Sequence, residues 1–356
     1  MKEHIIIAAG GTGGHVFPAL CLAKALANKN YQVEFIVDKR GSKYLSNIKN
    51  NNIKINIQNI NNRSRIILYI SVIKNIILNV FSFIFNRPKY IIGFGGYPSF
   101  APVFAGQILR LKNAIHEQNA VVGYANGVLS KYTNTIFTSF YNTIGIKYHN
   151  KIACTGNPTR YDDIYCNIPE YTPNNNKIFT ILIFGGSQGA AIFSDIVTKT
   201  ICKLSNKYKL KVYQQARQED IDNINKLYSK CNVEYYVASF FDNINELYMI
   251  ADLVISRAGA SSIFEIIGFK KASILIPYSK SINGDQIANA TYLGQKEAAI
   301  VFSDTIVTID ILYNKIEHFI NNQQELQIMS RNLSKMNLTN NTQNLLDLID
   351  NILKSM

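Results

Sequence analysis

Ile5-Ile6-Ile7-Ala8-Ala9-Gly10-Gly11-Thr12-Gly13-Gly14-His15 and, half a chain later, Ile181-Leu182-Ile183-Phe184-Gly185-Gly186-Ser187-Gln188-Gly189-Ala190 are the two stretches on which the fold turns. Each reads as an apolar strand, a glycine turn and the start of a helix. Short apolar runs alternate with helical patterns along the rest of the chain, which predicts parallel sheets built from βαβ units. Strands are expected near 5–9, 33–37, 54–57, 90–93, 114–116, 135–137 and 152–154, then near 180–184, 211–213, 233–236, 253–255, 272–276 and 300–302. A length of 356 residues exceeds one typical core and suits two domains of roughly 150–200 residues. The polar stretch 157–177, with Pro158, Pro169, Pro173 and an Asn run, breaks both helix and strand and reads as the linker. The expected class is therefore α/β, two Rossmann-like domains facing each other across a cleft. Beyond Asn337 a weakly amphipathic helix carries Leu345, Leu346, Leu348, Ile349, Ile352 and Leu353 on its apolar side.

Composition narrows the function. A hydrophobic share of 47% belongs to a globular chain rather than a disordered one. The formal charge of +13, from 37 basic and 24 acidic residues, favours anionic partners: nucleic acid, anionic lipid or phosphorylated substrates. No zinc-finger, RRM or KH signature is present, so nucleic acid is not expected. The five cysteines, Cys21, Cys154, Cys166, Cys202 and Cys231, are odd in number and far apart. Reduced thiols in the cytoplasm are the plain reading. The amino terminus has neither the long apolar core nor the cleavage site of a signal peptide, and a cytoplasmic location is expected.

Glycine turns between strand and helix let backbone amides approach an anion that the helix dipole also favours. The turn 10–14 is such a cradle. It lacks the dinucleotide fingerprint, which would need glycine at Val16, and no Gly-Lys-Ser/Thr follows. One such loop could be a tight turn and nothing more. A second, Gly93-Phe94-Gly95-Gly96-Tyr97-Pro98-Ser99, and a third, Gly185-Gly186-Ser187-Gln188-Gly189, shift the balance. Together they suggest two phosphorylated ligands, a nucleotide and an acceptor.

Three further segments stand out. His116-Glu117-Gln118-Asn119 follows a strand, where open α/β sheets bind ligands, and a histidine beside a carboxylate suits proton transfer. Ser256-Arg257-Ala258-Gly259-Ala260-Ser261-Ser262-Ile263-Phe264-Glu265 repeats the strand, turn and helix scheme. Its Glu265 could take ribose hydroxyls, or merely complement the helix dipole. The run 66–85 is apolar and long enough to span a bilayer. However, Ser71, Asn75, Asn79, Ser82 and Asn86 recur at helical steps beside Lys74, a polar stripe that argues for a surface helix. Arg63, Arg65, Arg87 and Lys89 frame it, as in helices that lie on anionic bilayers. Packing of its apolar face on the sheet is the plainer alternative.

In their order, AAGGTGGHVFPAL at 8–20, GFGGYPSFAP at 93–102, HEQNAVVG at 116–123, TGNPTR at 155–160, FGGSQGA at 184–190 and SRAGASSIFE at 256–265 are highly specific. The chain resembles, nearly end to end, the MurG family of UDP-GlcNAc:lipid I N-acetylglucosaminyltransferases, inverting enzymes of the GT-B fold. The resemblance implies an acceptor domain at 1–159, a UDP-GlcNAc donor domain at 160–336 and a final helix, 337–356, returning to the first domain. It implies lipid I near Gly11, Gly95, Gly96, Tyr97 and His116. For the donor it implies Thr12, Gly13, Gly14 and Asn119 near the sugar, Arg160, Phe241 (by its backbone) and Ala260, Ser261, Ser262, Ile263, Phe264 and Glu265 at the uridine, Ser187 at phosphate, and Gln286 with Asn289 at GlcNAc. His15 is the first catalytic candidate and Glu117 the second.

With no Asp-x-Asp motif, no metal and no cofactor are expected. The implied partners are UDP-GlcNAc, lipid I, an anionic membrane surface through 63–89 and other cell-wall synthesis proteins, on the cytoplasmic face of the inner membrane. Two departures from the family pattern are Asp285 before Gln286, where His or Gln is usual, and Tyr213-Gln214-Gln215-Ala216 in place of His-Gln-x-Gly. A GT-B enzyme acting on diacylglycerol shares the donor motifs but not 93–99 and 116–119. A membrane-recruited nucleotide-binding scaffold would not require His15, Glu117, Ser187 and Glu265.

Overall fold

Ile5, Ile6 and Ile7 are all fully buried, because a central parallel strand is covered on both faces and needs no polar alternation. In the computed structural model, which describes residues 3–45, 50–60, 64–173, 178–185 and 191–355, this strand is β1 (His4–Ala8). It sits in a seven-stranded parallel sheet with β2 (Gln32–Asp38), β3 (Ile53–Gln58), β4 (Tyr90–Gly93), β5 (Asn113–Glu117), β6 (Thr135–Thr138) and β7 (Ile152–Cys154), in the order β3-β2-β1-β4-β5-β6-β7. A second parallel sheet orders β10 (Val233–Ala238), β9 (Leu210–Gln215), β8 (Phe179–Phe184), β11 (Leu253–Ser256), β12 (Ser273–Leu275) and β13 (Ala299–Val301). Every strand expected from the sequence is present, with ends differing by a residue or two.

The described chain forms two units, Met1–Asp163 with Asn340–Met356, and Ile164–Thr339. In the first, Ile5 and Ile7 face α1 (Gly13–Asn28) and the carboxyl-terminal helix Asn341–Lys354, whose Leu345, Leu346, Ile349 and Leu353 join that core. Ile6 and Ala8 face the opposite layer, shared with Val103 of α3 (Tyr97–Ile108) and Phe83 of α2 (Arg65–Phe85). The returning helix is tied down at both ends: Asp350 pairs with Lys29, and Asp162 accepts from the Thr342 amide at 2.8 Å.

Three expectations are corrected. The stretch 157–177 is not a bare linker in its described part. Tyr165, Ile168 and Tyr171 are buried, and Tyr171 donates to Gln323 at 2.9 Å. Aromatic anchors spaced among prolines hold it, which composition alone conceals. Cys202 and Cys231 are joined as a disulfide, while Cys21, Cys154 and Cys166 remain thiols. Cys202 lies in the helix Thr198–Leu204 and Cys231 in the bend just past the helix Ile221–Tyr228, with their Cα atoms 5.4 Å apart across 29 residues of sequence. Finally, the middle of the polar stripe of α2 faces inward: Asn75 and Asn79 are buried while Ser82 and Asn86 stay exposed, and Ile66, Tyr69, Ile70, Ile73, Ile77, Phe81, Ile84 and Phe85 are exposed as well. Gln58 on β3 supplies the buried partner, donating to Asn79 at 2.9 Å. Leu68, Val72 and Phe83 pack inward beside them, and the rest of the helix's apolar surface is left exposed.

Candidate active site

In both sheets the strand order reverses beside the first strand of the unit, between β1 and β4 and between β8 and β11. Such switch points leave a crevice at the carboxyl ends of the strands, where open α/β sheets take ligands. The first two glycine loops follow β1 and β4 there.

The first two loops interlock. A Cβ on Gly10 would fall 2.0 Å from the Pro98 ring, so the loops can touch only if residue 10 is glycine. Gly95 has φ +87°, and a Cβ there would sit 3.2 Å from His15 Nε2. The imidazole thus rests on bare backbone. His15 Nδ1 lies 3.0 Å from the Gly10 carbonyl. A carbonyl only accepts, so Nδ1 carries the proton and Nε2 keeps its lone pair. His15 is partly exposed. Neither α1, N-capped by Thr12, nor α3, N-capped by Gly96, has a side-chain cap, which leaves their first-turn amides for an anion.

Two residues that the sequence reading passed over organise this half. Asp38, at the end of β2, accepts from the amides of Gly11 and Gly41, both at 3.0 Å, and from Arg40 Nε at 2.9 Å. It holds Gly11 in place and sets the Arg40 guanidinium beside it, 3.2 Å from where a Gly11 Cβ would stand. A strand ending in an acid was the available signal. The other is Asn126, buried in α4 (Tyr124–Leu129), which donates to Glu117 Oε2 at 2.9 Å and to the His116 carbonyl at 3.0 Å.

Glu117 is 2% exposed and both its oxygens are engaged. Oε1 accepts from the Asn119 amide at 3.1 Å, and Oε2 from the Gly123 amide at 3.0 Å as well as from Asn126. This arrangement shapes a loop and presents Asn119, which stays partly exposed. His116 differs from its expected role at the acceptor. It is fully buried, stacked on Phe94 at 4.9 Å, with Nε2 3.1 Å from the Gly156 carbonyl and Nδ1 3.1 Å from Gln118 Nε2. The even pleat of β5 turns it into the core.

Burial pushes the His116 imidazole down from 6.5 to about 4, with the Gly156 hydrogen bond opposing. The unfolded chain therefore takes up this proton first as pH falls, and stability is lost between pH 6.5 and 4. The loss from this group is about 3 kcal/mol, and above that window the penalty is absent. Urea unfolding across the window is expected to show a slope that His116→Gln flattens. An unchanged slope would place the proton uptake elsewhere.

In the second unit, the helix Ala260–Gly268 is N-capped by Gly259 with no side-chain cap, and a Cβ on Gly259 would meet nothing within 4 Å. Ser261 Oγ is buried without a partner at this open turn. Glu265 is partly exposed and accepts from Tyr248 at 3.3 Å. Gln286 takes the Tyr278 amide on Oε1 at 3.0 Å, which leaves its NH2 for a ligand. Five expected contacts have buried side chains. Ile263 and Phe264 are fully buried, because helical spacing turns both into the core. Phe241 is buried against Tyr236. Asn289 is fully buried and donates to the Ala258 carbonyl at 3.0 Å, so it supports the turn. Ala260 is buried and Ser262 partly exposed. Ser187, with the rest of 186–190, lies outside the described residues.

Arg257, in the turn after β11, bonds Asp304 at 2.9 Å and stacks over Tyr278. Asp285 opens the helix Asp285–Gly294 and folds its carboxylate onto the Gln286 amide at 2.7 Å. At the positive end of a helix that charge is well placed. Gln214 is a buried hub, accepting from Tyr228 at 2.6 Å and donating to the Phe193 carbonyl at 3.1 Å. Arg160 belongs to the first unit, exposed, its guanidinium over Phe17 at 5.2 Å and Tyr161 at 5.1 Å.

Residues 5–138 match the glycosyltransferase family 28 N-terminal domain, and residues 180–346 match the family 28 C-terminal domain. A relative from Rickettsia felis, named UDP-N-acetylglucosamine–N-acetylmuramyl-(pentapeptide) pyrophosphoryl-undecaprenol N-acetylglucosamine transferase, is 37% identical over 347 residues, covering 94% of this chain and 95% of its own. One of the same name from Rickettsia canadensis is 36% identical over 342 residues, with the same coverage. Among solved structures, MurG of Acinetobacter baumannii aligns with a TM-score of 0.83 at 26% identity, over 98% of this chain and 100% of its own. A UDP-GlcNAc 2-epimerase from Neisseria meningitidis, solved bound to UDP-GlcNAc, aligns at 0.67 and 12% identity over the whole of both chains and shares the fold.

Proposed function

This chain belongs to the MurG family of glycosyltransferase family 28, and from that membership we infer that it carries out the reaction for which its relatives are named. It moves N-acetylglucosamine from UDP-GlcNAc to undecaprenyl-pyrophosphoryl-N-acetylmuramyl-pentapeptide, converting lipid I to lipid II in peptidoglycan precursor synthesis. The observation that carries the residue assignment is the placing of the His15 ring, with Nδ1 3.0 Å from the Gly10 carbonyl and Nε2 beside Gly95, which in the neutral ring leaves Nε2 as the acceptor.

The reaction is a single displacement. The acceptor's 4-hydroxyl oxygen bonds to the anomeric carbon of GlcNAc as the bond to the diphosphate breaks and UDP leaves, inverting that carbon. His15 Nε2 accepts the hydroxyl proton. The first unit holds the acceptor diphosphate at the amino ends of α1 and α3, where Gly11, Gly95 and Gly96 admit close approach, Tyr97 is exposed and Arg40 adds a cation. Thr12, Gly13, Gly14 and Asn119 meet the sugar, and Arg160 reaches the nucleotide. The second unit holds UDP-GlcNAc. Ser261, Ser262 and Glu265 take the uridine, Phe241 contributes only backbone, Gln286 meets GlcNAc, and Ser187 meets phosphate. Asn289, Ile263 and Phe264 support these groups from the core. Helix amino ends and cations stabilise the departing diphosphate, so turnover is expected to persist in a metal chelator. Labelled GlcNAc transferred to a lipid I analogue with and without chelator tests this; loss of product in chelator, restored by a divalent cation, would refute it.

The exposed apolar side of α2, with Arg65, Lys74, Arg87 and Lys89 along or beside it, fits a helix lying on an anionic bilayer. It would hold the enzyme peripherally on the cytoplasmic face, where the acceptor's lipid is anchored.

A further inference from the structure

The strands β11, β12 and β13 lie side by side in the second sheet, and one side chain spans their exits. Arg257, the first residue past β11, donates from Nη1 to the Ile276 carbonyl just past β12 at 2.8 Å. The same nitrogen donates to Asp304 Oδ2, past β13, at 2.9 Å. Its guanidinium also lies over the Phe193 and Tyr278 rings, at 5.6 and 5.3 Å. Both charged side chains are largely buried, and each would be costly to bury without the other. Burial opposes the charge on Asp304, but hydrogen bonds from Ser279 and Arg257 outweigh it and hold the carboxyl below its ordinary range.

Asp304 does more than neutralise Arg257. Its Oδ2 also accepts from the Ser279 amide at 3.3 Å. The amide one residue earlier, that of Tyr278, donates to Gln286 Oε1 at 3.0 Å. With Oε1 taken, Nε2 is the end of Gln286 left to donate to a ligand. Two successive amides of a loop exposed at Tyr278 and Lys280 are thus committed, one to a buried anchor and one to a candidate sugar contact. The uridine helix Ala260–Gly268 has separate supports: Asn289 holds the Ala258 carbonyl at 3.0 Å, and Ile263 and Phe264 seat the helix in the core. We propose that Asp304 is a positioning residue for the donor sugar, fixing the loop at Ser279 so that Tyr278 holds Gln286 with its NH2 toward GlcNAc. This rests on the assignment of Gln286 to GlcNAc and adds to it the group that does the aiming.

The test is equilibrium binding of UDP-GlcNAc and of UDP to the full chain, read as the ratio of the first affinity to the second. Gln286→Ala is expected to lower that ratio about fivefold, the worth of one neutral hydrogen bond. Asp304→Ala is expected to lower it about threefold, a part of the same bond, with UDP bound as in wild type. In the Gln286→Ala background Asp304→Ala is expected to lower it no further, because the two act on one contact. Asp304→Asn, which keeps an accepting oxygen, is expected to retain most of the wild-type ratio. A ratio that Asp304→Ala leaves unmoved, or lowers equally with Gln286 already replaced, overturns the proposal. A wild-type ratio in Gln286→Ala refutes the sugar assignment itself, a distinct outcome, and the proposal with it. Hydrogen exchange of the wild type decides the matter if Asp304→Ala does not fold. The Ser279 amide is then expected to be protected before any donor is added, and exchange at the rate of an open loop overturns the proposal.

Discussion

His15→Ala is expected to lower turnover by about 10²- to 10⁴-fold, the usual worth of one general base, while leaving the affinity for UDP-GlcNAc near that of wild type. The argument is geometric. The imidazole is held by its own loop, 3.0 Å from the Gly10 carbonyl, and packs on a glycine of the neighbouring loop. Its closest contacts are with backbone of the acceptor loops, and with Thr12 Oγ1 only at 3.5 Å, so removing the ring deletes a base and spares the residues assigned to the nucleotide. Single-turnover transfer to a lipid I analogue, beside equilibrium binding of UDP-GlcNAc, separates the two effects. A variant that keeps wild-type turnover would remove His15 from the chemistry.

The second large effect belongs to Glu117, and its expected signature is different. Glu117→Ala removes the acceptor of the Asn119 and Gly123 amides at a partly buried turn and one of the two acceptors of the buried Asn126 side chain. Each stranded donor costs about 1–3 kcal/mol, so the sum approaches a large part of an ordinary domain's stability. Glu117→Gln, which keeps the shape and loses the charge, is expected to cost about 1–3 kcal/mol and to depress turnover less than His15→Ala does. Urea unfolding measured beside turnover distinguishes a positioning carboxylate from a base. Wild-type stability combined with turnover as low as that of His15→Ala would reverse the assignment and make Glu117 the base.

The strands were legible because buried parallel strands are written as unbroken apolar runs, as at Ile5–Ile7 and Ile181–Ile183. The turns were legible because close approach admits only glycine, as Gly10 against Pro98 shows. Which way a side chain faces was not legible. His116 and Glu117 are neighbours on one strand; one lies stacked in the core and the other organises a loop. Along the helix Ala260–Gly268 the same limit separates Ser261 from Ile263 and Phe264. In α2 a stripe of asparagines normally marks the wet side, and here it marks the dry one, because Gln58 of β3 meets Asn79 there. Asp38 and Asn126 escaped notice because they act on backbone and on other side chains, and such work leaves no motif.

The most direct measurement is the anomeric configuration of the disaccharide formed from UDP-GlcNAc and a lipid I analogue, read by proton NMR. A β-linked GlcNAc on the 4-oxygen of MurNAc is the result expected of one displacement with His15 as the base. An α-linked product, or none from folded protein that binds UDP-GlcNAc, would contradict it.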